Sequence, residues 1–201
     1  MNSESIPEYK IILASNSSIR QKILEDSGIS FEVVPSEVEE EELKQSLSSN
    51  NFREYCLALA KAKALDVSNK KKNAFVIGSD QICCYGEEIF SKPLTKENCF
   101  KTLSKLSGNT HYQNCGISIC KNGKEIWSHY AQAALTMKSL SDTEIRDYID
   151  KDEPFMACGA YRFESLGKDL FLTTKGDETT IQGLTLNPII NFLTSKKVIN
   201  L

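Results

Sequence analysis

The segment Ala74 to Tyr85, AFVIGSDQICCY, is apolar except at Gly78, Ser79, Asp80 and Gln81. Its near-continuous apolar character is that of a buried strand. A carboxylate inside such a run is costly unless it is paired, hydrogen-bonded or bound to a cation. Asp80 is therefore the first candidate for chemistry. A second is Ser15-Asn16-Ser17-Ser18-Ile19-Arg20, where an expected strand hands over to an expected helix. Backbone N–H groups, a helix dipole, hydroxyls and a guanidinium at such a junction suit phosphate oxygens. The same serines also suit plain helix capping, and the glycine pattern of a P-loop or dinucleotide fold is missing. Glu39 to Glu42 supply carboxylates, either as a solvated acidic face or as ligands. Lys61, Lys92 and Arg20 supply cations. Asp80 and one glutamate on a divalent metal, with these cations around them, make the combination that phosphoryl chemistry requires.

The elements that must position these residues follow from periodicity. Tyr9 to Ala14 reads as a strand, the segment through Gly28 as a helix, and Phe31 to Val34 as a second strand. EVEEEELKQSLSSNN reads as a mobile connection. A helix begins at Phe52, the strand carrying Asp80 follows, and Thr95 caps a further helix. Thr110 to Met137 reads as a long hairpin about Asn122-Gly123. Ser141 and Glu144 make a capping box, and a last helix is expected after Pro188. Strands alternating with helices, then a hairpin, predict an α/β fold: one mixed twisted sheet in two lobes with a central cleft, in a single domain spanning residues 1–201.

Composition narrows the function. With 24 Lys+Arg against 27 Asp+Glu the net charge is −3, so no global positive field exists to hold a nucleic-acid polymer. The longest apolar run, Tyr55 to Ala60, is far short of the roughly 20 residues that span a bilayer. MNSESIPEYK has no signal pattern, and a cytoplasmic location is expected. Seven cysteines with no CxxC pair read as reduced, small apolar residues. His111 and His129 have no paired Cys or Ser pattern that would make a nucleophilic dyad.

Several motifs, in order, carry a resemblance to a known family. LASNSSIRQKIL, FEVVPSEVEEEE, LAKAKAL, IGSDQICCYGEEIFSKP, LSGNTH, LSDTEIRDYI, CGAYRFESLG and QGLTL resemble successive blocks of the Maf (septum-formation) proteins, relatives in fold of the inosine triphosphate pyrophosphatases. The resemblance covers nearly the whole chain. It implies hydrolysis of nucleoside triphosphates to monophosphate plus pyrophosphate, clearing modified or non-standard nucleotides. It further implies Asp80 as proton acceptor, Glu40 and Asp80 as ligands of magnesium or manganese, and Ser15, Arg20, Lys61 and Lys92 as triphosphate contacts. Lys61-Ala62 is taken as the family's Lys-Ala. Gln81 matches the Gln-bearing branch, and Tyr161, Arg162 and Glu164 are expected to touch base or ribose. The base stays open between 7-methyl-GTP, dTTP or UTP, and a broad range. A homodimer is implied as well. Gln21, Glu39, Cys115, Lys138 and Thr185 depart from the family pattern, and the alternative to catalysis is a nucleotide-binding sensor in cell-division control.

Overall fold

A computed structural model describes residues 9–40 and 51–200. Glu41, Glu42 and most of the expected mobile connection lie outside the described residues. The strands are β1 (Lys10–Leu13), β2 (Glu32–Val33), β3 (Ala74–Tyr85), β4 (Glu88–Phe90), β5 (Thr110–Lys121), β6 (Lys124–Met137) and β7 (Phe171–Lys175). Among the described residues the helices are α1 (Ser18–Asp26), α2 (Phe52–Lys70), α3 (Lys96–Leu106), α4 (Asp142–Asp152), α5 (Glu178–Ile181) and α6 (Leu186–Ser195), with a 3-10 turn at Leu166–Leu170. The capping box of α4 and the Thr95 cap of α3 are both formed. The last helix starts at Leu186, so Pro188 falls inside its first turn, where a missing N–H costs no bond. Strand β7 and helix α5 lay in a stretch whose sequence shows only glycine punctuation.

The seven strands of the described residues form one mixed sheet in the order β2-β1-β3-β5-β6-β7, with β4 also on β3. Strand β3 organises it. One edge pairs antiparallel with β5 from Val76 to Cys84. The other is shared: Ala74 to Ile77 pair parallel with β1, and Cys83 to Tyr85 pair antiparallel with β4. Among the described residues no strand pairs with Gly78 to Ile82 on that edge, and this free stretch coincides with the polar interruption in the sequence.

The core divides at the same place. On one face, Phe75 and Ile77 join Ile11, Leu13, Ile117 and residues of α1 and α6, whereas Cys83 joins a second cluster around α3, α4, Tyr161 and Phe171. Ser79 and Gln81 stand between the two clusters. On the opposite face lies α2, packing Leu59, Ala64 and Val67 against Val76 and Ile82. Glycine lets it come close. A Cβ on Gly78 would collide with the carbonyl oxygen of Ala60, and one on Gly116 would come within 2.5 Å of the Cys56 carbonyl. Gly116 is the ladder partner of Asp80, so α2 is seated directly over the polar part of β3.

Candidate active site

That seat determines which lysine meets Asp80. Lys63 Nζ donates to Asp80 Oδ1 at 2.7 Å and lies 2.9 Å from Glu40 Oε1. Lys63 and Asp80 are both 7% exposed, whereas the Glu40 side chain is 40% exposed. Two carboxylates thus converge on one buried ammonium, which compensates the desolvation either would suffer alone.

Lys61, the sequence-based choice, does not join them. It pairs with Glu125 at 3.0 Å, with nearly half its side chain in solvent. Two residues along a helix are about 200° apart, so Lys61 and Lys63 cannot both face β3. The phase was legible: Tyr55, Cys56, Leu59, Ala60, Lys63, Ala64 and Val67 form the buried stripe of α2, and Lys63 lies in it.

On the free edge of β3, Arg20 takes the place of a strand. Its Nη1 donates to Ser79 O at 2.9 Å and to Ser15 Oγ at 3.3 Å, and its Nε donates to Gly183 O at 2.8 Å. Ser15 Oγ also accepts from Ser17 N at 3.2 Å. Ser15 and Arg20 are therefore brought to the stretch carrying Asp80, and Ser15 sits just before the N-terminus of α1. Ser79 Oγ donates to the same Gly183 carbonyl at 2.8 Å. Gln81 Nε2 donates to Thr180 O and Ile181 O at 3.2 and 2.6 Å. Side chains alternate along a strand, so Gln81 and Ser79 face α5 while Asp80 faces α2. Gly183 lies in the QGLTL block, but its role here is a carbonyl, which no residue type signals.

Lys92 is exposed and makes no ion pair with a described residue. The remaining expected contacts lie elsewhere. Tyr161 is a core residue, 3% exposed. Gln113 Nε2 donates to its hydroxyl at 2.8 Å, and the hydroxyl lies 2.9 Å from His111 Nε2. Burial pushes the Tyr161 hydroxyl well above its usual range and brings His111 down to about 4. Arg162 bridges Glu164 Oε1 and Asp152 O, each at 3.3 Å, and its backbone N–H donates to Tyr148 Oη at 2.9 Å. Glu164 lines a polar hollow of about 270 Å3 with Ile19, Lys22 and Gln182. Neither Arg162 nor Glu164 bonds to the Asp80 cluster. Of the departures from the family pattern, Lys138 donates to Asp169 O at 2.6 Å, and Cys115 is buried with its sulfur 3.7 Å from Ser79 Oγ.

The donor set can be tested for a metal. Glu40 and Asp80 offer hard oxygens, which suit magnesium or manganese. Among the described residues, no group of three or more His, Cys, Asp or Glu converges. Two carboxylates fit an ion whose remaining ligands include waters and substrate oxygens.

Residues 10–196 match the family described as Maf-like protein, and the chain belongs to that family. It is 40% identical to a nucleoside triphosphate pyrophosphatase of Legionella pneumophila (strain Corby), over 99% of this chain and 100% of the relative. It is 37% identical to a 7-methyl-GTP pyrophosphatase of Brucella abortus biovar 1 (strain 9-941), over 95% of this chain and 98% of that protein. Among solved structures, the Staphylococcus aureus Ham1 protein has a TM-score of 0.49 at 16% identity, covering 93% of this chain and 99% of that one. No helix among the described residues is long and apolar enough to cross a membrane.

Proposed function

We propose that this protein hydrolyses nucleoside triphosphates to nucleoside monophosphate and pyrophosphate. The observation that carries the reading is the Asp80–Lys63–Glu40 cluster on the free stretch of β3, with Ser15 and Arg20 beside it. Full-length identity to pyrophosphatases supports it.

In this reading Asp80 orients a water and accepts its proton as the oxygen attacks the α-phosphorus. The bond from that phosphorus to the bridging oxygen breaks, and its electron pair leaves on pyrophosphate. Ser15, the start of α1, Arg20 and Lys92 hold the phosphates and balance their charge. Lys63 aims both carboxylates. Glu40 and Asp80 would hold magnesium or manganese, which when bound supplies Lewis-acid polarisation of a phosphate oxygen. The Gln-bearing strand and the Brucella relative favour a methylated guanine triphosphate among the substrates. The enzyme would act in the cytoplasm, where its seven free cysteines stay reduced, and as a homodimer that size-exclusion chromatography with light scattering would detect.

The test is a product assay with magnesium or manganese on canonical triphosphates and 7-methyl-GTP. Pyrophosphate with monophosphate supports the reading. Orthophosphate with diphosphate would overturn the bond assignment, and binding without turnover would favour a nucleotide sensor.

A further inference from the structure

Two loops meet at the rim of the free stretch of β3 and present large apolar side chains to solvent. Leu94 is 63% exposed and Met156 is 67% exposed. Leu94 N donates to Phe155 O at 3.0 Å, so the two residues ride on adjoining backbone. Both loops lead to the site. Phe90 pairs with Cys83, two residues from Gln81, and Lys92 and Leu94 follow directly after Phe90 in the chain. From the other loop, Cys158 Sγ lies 3.8 Å from Gln81 O, two residues beyond Met156.

Both loops contain backbone that disfavours a side chain. Leu94 has φ 64, in the left-handed region that disfavours a leucine. In the facing loop Gly159 and Ala160 have φ 83 and 61. That loop is fastened from outside: Gln113 Nε2 donates to Cys158 O at 3.3 Å, and the Tyr161 hydroxyl is held by Gln113 and His111. Strained backbone around exposed apolar side chains is a feature of ligand contacts. Beside phosphate-holding cations, the part of the ligand with a broad apolar face is the base, and a thioether is a good partner for an aromatic face.

We propose that Leu94 and Met156 form an apolar shelf for the nucleobase of the triphosphate, an assignment that rests on the function proposed above. The shelf meets the face of the base and leaves its hydrogen-bonding edge unread. It therefore strengthens binding of every base, purines more than pyrimidines, and selects none by edge chemistry.

The chain contains three methionines, Met1, Met137 and Met156, and Met137 is fully buried. In protein labelled with 13C at the methionine methyls, a non-hydrolysable GTP analogue should move the Met156 resonance upfield through the ring current, while base-free tripolyphosphate should not. A Met156 signal that ignores the nucleotide, or responds equally to tripolyphosphate, overturns the shelf. Leu94→Gly with Met156→Ala should weaken the GTP analogue about tenfold and leave tripolyphosphate affinity within about twofold. Glycine suits the backbone at position 94, so the variant retains its fold. Equal loss for both ligands, or loss for neither, also overturns the shelf. Failure of the unaltered enzyme to release pyrophosphate would instead overturn the reaction, because the methyl shift reports base contact without turnover.

Discussion

Two buried polar groups lie close together in this fold and are built on opposite terms. Lys63, Asp80 and Glu40 form a charged group on the α2 face of β3, and it reaches solvent through Glu40. His111, Gln113 and Tyr161 form a neutral group on the other face of the sheet, each no more than 3% exposed. In the function proposed above, the first places charged groups where water and a phosphate can arrive. The second uses its polar atoms to fasten the loop through Cys158. Burial and polarity alone do not separate catalysis from architecture; net charge and a path to solvent do.

The widest separation between the two groups is expected in turnover. Asp80→Asn should lower kcat by about 10²–10⁴ with circular dichroism unchanged, whereas Tyr161→Phe should leave kcat within about twofold. Unchanged turnover in Asp80→Asn would end its assigned role, and a collapse in Tyr161→Phe would erase the distinction. In stability, Lys63→Met leaves two carboxylates facing each other without their cation, and about 3–5 kcal/mol should be lost in denaturant unfolding.

The pH response tests the neutral group. Folded His111 has its pKa lowered to about 4 by burial, against 6.5 in the unfolded chain. Between those values the unfolded state binds more protons, so stability falls as pH drops from 6.5 towards 4, by roughly 3 kcal/mol in total. Above pH 6.5 the contribution to the slope vanishes. His111→Gln should flatten the acid limb of stability against pH, and an unchanged slope would mean that His111 is protonated in the fold. Tyr161→Phe strands a buried Gln113 donor and should cost about 1–3 kcal/mol by the same unfolding measurement. Smallest is Lys61→Met, which removes one surface ion pair and should cost no more than about 1 kcal/mol. A cost matching that of Lys63→Met would contradict the assignment of Lys63 to the site.

Local signals were sufficient wherever the determining physics is local. The polar break at Gly78 to Gln81, the Asn122-Gly123 hairpin, the Ser141 capping box and the Ser15 to Arg20 junction are legible because each depends on neighbours along the chain. The ordered motifs that mark the Maf family are legible for the same reason. What tertiary structure alone decided is which side chains meet. The helical phase puts Lys63 on the buried stripe of α2 and Lys61 off it, but that Lys63 meets Asp80 there depends on Gly78 and Gly116 admitting α2 at one height. Gln81 and Asp80 are neighbours in sequence but serve opposite faces, since a strand alternates. Family resemblance makes Tyr161 an expected base or ribose contact, yet it is enclosed by β5 and Phe171. A sequence specifies the donors and acceptors it carries; their partners are fixed by packing between segments tens of residues apart, and no periodicity encodes that.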